Sequence, residues 1–148
     1  MSPVRVGPTV PVATEAGHRE VPALLRMVTP LPGLPGRTEY ALEALDEVGV
    51  LFAIRSAPEA GPQVRLFLVA PHIFFPSYDP RIDTSALDEP FGPSDPDSRV
   101  LFVVVRPAEE EGHPPTANLL APLVVDTVTG RAVQLVLDED LPLQAPVG

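Results

Sequence analysis

The segment Arg99–Arg106, RVLFVVVR, decides the fold class. Successive side chains of an extended chain point to opposite faces. Both faces of this segment are apolar, so it reads as a central strand covered on both sides. Outward from it, Val50–Arg55 (VLFAIR) and Val64–Val69 (VRLFLV) are also short and apolar and end at Pro/Gly turns, as sheet strands do. The connection 56–63 makes a hairpin of those two. On the other side, Thr116–Asp126 and Arg131–Asp138 flank Thr127–Gly130 in a second hairpin pattern. In the last strand Val133, Leu135 and Leu137 alternate with Ala132, Gln134 and Val136.

Val21–Val28 is another apolar run, closed by the turn-rich TPLPGLPG of residues 29–36. Thr38–Leu45 (TEYALEAL) fits two patterns. Tyr40, Leu42 and Ala44 alternate as on a half-buried strand, while Tyr40, Ala41, Ala44, Leu45 and Val48 would line a helix face. Residues 1–19 show no period and read as a flexible N-terminal arm, with room for an early short strand at its end, before a single domain over 20–148. Residues 79–98 have the punctuation of a surface loop, with Thr84 capping a short helical turn through Glu89 that Pro90 stops. About seven or eight short strands at roughly 10-residue spacing predict an all-β sandwich or barrel.

Composition agrees. Proline supplies 21 of 148 residues, which leaves little room for long helices. The formal charge is −10, and the ten basic residues are all arginines scattered singly along the sequence. A nucleic-acid binder needs basic residues gathered toward phosphates, so direct nucleic-acid binding is not expected. The absence of cysteine removes disulfides, thiol nucleophiles and thiolate metal sites. The first twenty residues lack the apolar core of a secretion signal, and no apolar run approaches a membrane span, so the cytoplasm is the expected location.

Catalytic patterns are weak. His18, His72 and His113 are far apart, and a zinc site built from His113 with residues 109–111 competes with the plainer reading of a solvated acidic run. None of the serines sits in a GxSxG-like turn. Gly33 to Gly36 carries a proline and leads into no helix, unlike a phosphate cradle. An enzyme is therefore not expected, and neither is a metal or other cofactor. The aromatic segment Ile73–Tyr78 reads as core packing at a strand end or as an interface anchor of the kind hot spots favour. Leu119 and Leu120 are consecutive, so one belongs in the core and the other under a second layer or a partner. Asn118, in an apolar run, needs its amide satisfied, and a structural turn bond is preferred over direct recognition.

These residues carry a family resemblance. Thr116-Ala117-Asn118-Leu119-Leu120-Ala121-Pro122 followed by Ala132-Val133-Gln134 and Asp138 resembles the T-x-N-L-x-A-P and A-x-Q signature of the flagellar assembly factor FliW family. Leu34-Pro35-Gly36, Leu51–Ser56 and Ala70–Asp79 resemble further segments of that family in the same order. Arg37 stands where the family usually has an aromatic, Arg55 where it has Gln, and Leu141 where Tyr is common. The resemblance implies a mostly antiparallel pseudo-barrel with Thr38–Leu45 as a strand. It also implies a monomeric, cytoplasmic, non-catalytic protein that binds flagellin and antagonises the RNA-binding translational regulator CsrA. The acidic charge suits steering toward a basic regulator. Motif position and side-chain type nominate Phe74, Phe75, Tyr78, Asn118, Leu119 and Leu120, with Asp138, Glu139 and Asp140, as the partner-binding surface. Two readings from other classes stand beside this one. The first is a small metal-dependent hydrolase using His72, His113 and nearby carboxylates. The second is a structural barrel domain with a non-flagellar partner.

Overall fold

The computed structural model describes residues 8–15, 17–31, 34, 36–57, 62–80, 82, 87, 91, 98–108 and 110–147. Among the described residues the elements that can be bounded are, in chain order, β1 Thr9–Thr14, β2 Gly17–Pro22, β3 Leu24–Met27, β4 Glu39–Ala44, β5 Leu51–Ser56, β6 Arg65–Val69, α1 Pro71–Phe74, β7 Arg99–Arg106, β8 Thr116–Ala117, β9 Leu123–Asp126, β10 Arg131–Gln134 and β11 Ala145–Pro146. The order β7-β6-β5-β4-β3-β10-β9 closes on itself because β9 also pairs with β7. Seven strands therefore form a barrel, the closure that leaves no open edge. All its pairs are antiparallel except the short β3–β10 pair, Arg26 with Arg131 and Met27 with Ala132.

Alternation fills the barrel. Leu25, Met27, Tyr40, Leu42, Phe52, Ile54, Leu68, Val100, Phe102, Leu123, Val125 and Ala132 form one buried cluster. Phe52 and Phe102 meet edge to face with centroids 5.4 Å apart, the arrangement aromatic quadrupoles favour. Tyr40 and Leu42 point inward while Glu39 and Ala41 face solvent, so the segment expected over Thr38–Leu45 is a strand, Glu39–Ala44, in the sense the family resemblance implied. β7 is covered on both faces, as its apolar run predicts. Its outward Val103 and Val105 join a second cluster, and Leu101 packs against a third made by Leu87, Phe91, Val124 and Val133.

The expected N-terminal arm is corrected from Thr9 onward. β1 and β2 form a hairpin, and the boundary at residue 20 cuts through β2. Val10, Val12 and Val21 of that hairpin are buried with the barrel interior. Val10 and Val12 at strand spacing, with Val21 opposite Val10, outweigh the prolines and glycines around them, because the hairpin has an apolar cluster to join. Val21–Val28 is likewise two strands, with a bend at Ala23 whose N–H donates to the Pro8 carbonyl.

One other element differs from the sequence pattern, and a second falls mostly outside the described residues. The start of the aromatic segment is the single turn α1, where Pro71 presets the first helical dihedral and the Phe75 N–H donates to the Pro71 carbonyl at 2.8 Å. The helical turn expected over 84–89 lies, apart from Leu87, outside the described residues.

Candidate functional site

The stretch expected as one strand, Thr116–Asp126, is two short strands on the same edge of β7. Ala117 pairs with Val105, and Leu123 pairs with Phe102. Between them the chain bulges away over residues 118–122, and Asn118 builds the bulge. Its N–H donates to the Val104 carbonyl at 2.9 Å. Its side-chain oxygen accepts from the N–H groups of Leu120 and Ala121, both at 3.1 Å. This is the asparagine turn geometry that competes with a sheet ladder. Gln134 on β10 then donates its amide to the Ala121 carbonyl at 3.0 Å, tying the bulge to the next strand.

The residues around the bulge stand outside the barrel, against β7. Phe74, Phe75 and Tyr78 pack on Val69, Val103, Val105, Ala117, Leu119 and Ala145, with Leu141 and Val147 beside them. The Tyr78 hydroxyl donates to the Leu119 carbonyl at 2.6 Å, and the Leu119 N–H donates to the Pro142 carbonyl at 3.0 Å. Burial, and then the nearby Glu139 carboxylate, push the Tyr78 phenol up to about 12. The phenol is thus a neutral donor through the physiological range.

The nine nominated residues fall into three groups. Leu119 is buried and acts as an anchor rather than a contact surface. Phe74, Phe75, Tyr78, Asn118, Leu120 and Glu139 are half-buried, and Asp138 and Asp140 are exposed. The Leu120 carbonyl accepts from the Leu137 N–H at 2.8 Å, which holds the bulge beside the acidic run that starts at Asp138. The structure adds exposed apolar side chains that were not nominated: Ile73 on α1, Val136 and Leu143. Val136 was legible as the odd member of an alternating strand. Leu143 carried no pattern.

Two clefts border this region. One, of about 290 Å³, is lined by Arg19 from the hairpin, His72, Tyr78 and Asp79 from the α1 segment, and Arg99 from β7. The other, of about 420 Å³, is lined by Arg106, Glu110, His113, Thr116 and Gln144. His72 and His113 thus line different clefts, and His113 meets Glu110 at 3.3 Å on an exposed loop. Among the described residues no three His, Asp or Glu side chains gather as a metal site would require. Glu109 lies outside the described residues. No helix among them is long and apolar enough to cross a membrane. What the region offers chemically is half-buried aromatic and aliphatic surface beside carboxylates, the make-up of a protein-contact face.

Comparison with known proteins gives a consistent result. The family model described as FliW protein matches residues 13–147. The flagellar assembly factor FliW of Heliobacterium modesticaldum is 29% identical over 125 residues, covering 83% of this chain and 79% of the relative. That of Shouchella clausii is 29% identical over 118 residues, covering 79% and 78%. That of Moorella thermoacetica is 32% identical over 80 residues, 53% of this chain and 49% of the relative. A crystal structure of the flagellar assembly factor FliW superposes with a TM-score of 0.68 at 20% identity, over 93% of this chain and 94% of that one, and shares the fold.

Proposed function

This chain belongs to the FliW family, and from that premise we propose that it is a flagellar assembly factor that works by binding proteins rather than by catalysis. The observation that carries the proposal is the family match over residues 13–147, which takes in the bulge at Asn118 and the surface around it. In this reading the protein acts in the cytoplasm, holds flagellin, and competes with messenger RNA for the regulator CsrA. The two partners exclude one another, so the supply of flagellin sets how much CsrA remains bound. Phe74, Phe75, Tyr78, Asn118, Leu119 and Leu120 frame the contact surface, and Asp138, Glu139 and Asp140 steer a basic partner toward it. Burial of Leu119 and the turn bonds of Asn118 support a framing role for those two residues, with contact left to the more exposed ones.

The test is isothermal titration of the chain with the CsrA of its own organism, at low and moderate salt, with and without flagellin. Saturable binding of micromolar strength or tighter is expected. It should weaken with salt, because steering between exposed charges is screened, and flagellin should displace it. Absence of heat at every salt concentration would remove the regulator from the proposal. Simultaneous binding of both partners would refute the competition.

A further inference from the structure

The barrel wall is covered unevenly. Outer clusters cover β7, β9 and β10. The outside of β3, β4 and the near ends of β5 and β6 is open, on the arc of the ring farthest from β7. Outward positions there are Leu24, Arg26 and Val28 along β3 and just past it, Glu39, Ala41 and Glu43 on β4, Arg55 on β5 and Arg65 on β6. Arg131 at the start of β10 sits beside Arg26 in register. Strand pairing places Leu24, Ala41, Arg55 and Arg65 in one row and Arg131, Arg26 and Glu39 in another.

Charge on this face runs opposite to the net −10 of the chain. Among the described residues Arg26, Arg55 and Arg65 project here against Glu39 and Glu43, while Arg131 turns its guanidinium to the Phe91 carbonyl at 3.3 Å. Glu43 stands 3.1 Å from Arg55 and 3.9 Å from Arg65, so one carboxylate is shared by two guanidinium groups. Arg65 lies over the Phe67 ring at 5.0 Å, which holds its long side chain against the sheet. Between the charges the surface is apolar. Leu24 is 45% and Val28 41% exposed, flanking Arg26 at strand spacing. Leu24, Glu39, Ala41, Arg55 and Ala57 line a shallow groove of about 350 Å³, with Glu39 at the end away from Arg65 in the strand rows.

We propose that this face docks an acidic segment of a partner protein, in which carboxylates and aliphatic side chains take turns along one face of the extended chain. Along β3 the outward order is apolar, cation, apolar, and its complement in an extended chain is apolar, acid, apolar at the same spacing of two. The barrel is closed here, so recognition is by side chains on the face rather than by strand addition at an edge. A nucleic acid is disfavoured by the same surface. Single strands use uncovered aromatic rings for stacking, and the outward ring here, Phe67, lies beneath Arg65. Leu24 and Val28 would also gain nothing from a phosphate backbone. This surface is separate from the one around Asn118, and its occupant has the opposite charge to a basic regulator.

The test is fluorescence anisotropy with the full chain and a labelled octapeptide in which leucine and glutamate take turns at every second position with serine between them, so that both lie on one face of the extended peptide, at low and moderate salt. The same octapeptide with lysine in place of glutamate and a thymidine oligonucleotide serve as comparison probes. Saturable binding of the acidic peptide is expected. It should weaken about tenfold in the double variant R26Q/R55Q, as two exposed charge contacts allow, and severalfold in Leu24→Ser. These positions are on the surface, and unchanged far-ultraviolet circular dichroism confirms folded variants. Equal binding of the lysine peptide, undiminished binding in R26Q/R55Q, no binding of the acidic peptide, or binding of the oligonucleotide in its place would each overturn the proposal.

Discussion

Replacing Asn118 with alanine should destabilise the protein by about 1–2 kcal/mol, whatever it does to partner binding. The side-chain oxygen accepts two N–H groups, from Leu120 and Ala121, each at 3.1 Å. Alanine has no acceptor, so both donors lose their partner. A fully buried donor left in that state costs roughly 1–3 kcal/mol. Asn118 and Leu120 are half-buried while Ala121 is buried. Water can therefore serve one donor better than the other, and the sum falls toward the lower part of that range. For a chain of this size each kcal/mol lowers the melting temperature by roughly 2–4 °C, so a fall of about 2–8 °C is expected. Aspartate at the same position keeps an acceptor in place and should stay within about 0.5 kcal/mol of the parent protein, as uncomplicated substitutions do. Urea unfolding followed by far-ultraviolet circular dichroism measures both variants. An unchanged midpoint in Asn118→Ala, or an equal loss in Asn118→Asp, would refute the assignment of Asn118 as a turn acceptor.

Gly130→Ala should cost about 2 kcal/mol or more. Gly130 has φ +78°, and an added Cβ would sit 2.7 Å from the Leu24 carbonyl oxygen, so left-handed strain adds to a backbone clash. Gly112→Ala, with a similar φ but nothing within 4 Å, should lose only about 1 kcal/mol. Thermal unfolding of the two side by side checks the difference. At alkaline pH the Tyr78 phenol, pushed up to about 12, supplies stability that is complete below the unfolded tyrosine value near 10. That stability is lost as pH rises from there through the folded value. Tyr40 is shifted in the same direction, by burial against a smaller opposing effect of Arg37. Tyrosinate absorbance should therefore rise late in the folded protein and earlier in urea, and Tyr78→Phe should flatten the alkaline loss of stability. A normal titration of both rings in the folded chain would contradict this.

Short apolar runs bounded by turns were legible because each needs only its own pattern to settle it. β5, β6 and β7 fall within a residue or so of where those runs place them, whereas the pattern of β4 also fitted a helix and only the family resemblance made it a strand. The rest depends on partners distant in the chain. Val10 and Val12 have too short a pattern to compete with the surrounding prolines, and only the barrel interior makes them strand residues. The end of β10 shows the same dependence. The apolar alternation runs on to Leu137, but the ladder stops after Gln134, because the facing residue, Pro122, accepts from the Leu135 N–H and has no donor to return.

The surface around Asn118 was legible in the opposite way, through residues whose purpose is structural. Asn118 is spent on the bulge, and Leu119 on the cluster beneath α1. Ala121 is buried, with its carbonyl bonded to Gln134. Ala132 faces the barrel interior between β3 and β9. The T-x-N-L-x-A-P and A-x-Q segments are thus two halves of one device, joined by the Gln134 amide, that takes the chain off the edge of β7 and returns it. A motif of this kind identifies the fold sharply and says little about the partner. On the proposed reading, selectivity comes from side chains that the device presents without using, such as Leu120, Val136, Asp138 and Asp140. Nothing in the internal packing holds those positions to one residue type, so a change of partner can be accommodated there while the bulge and the barrel stay the same.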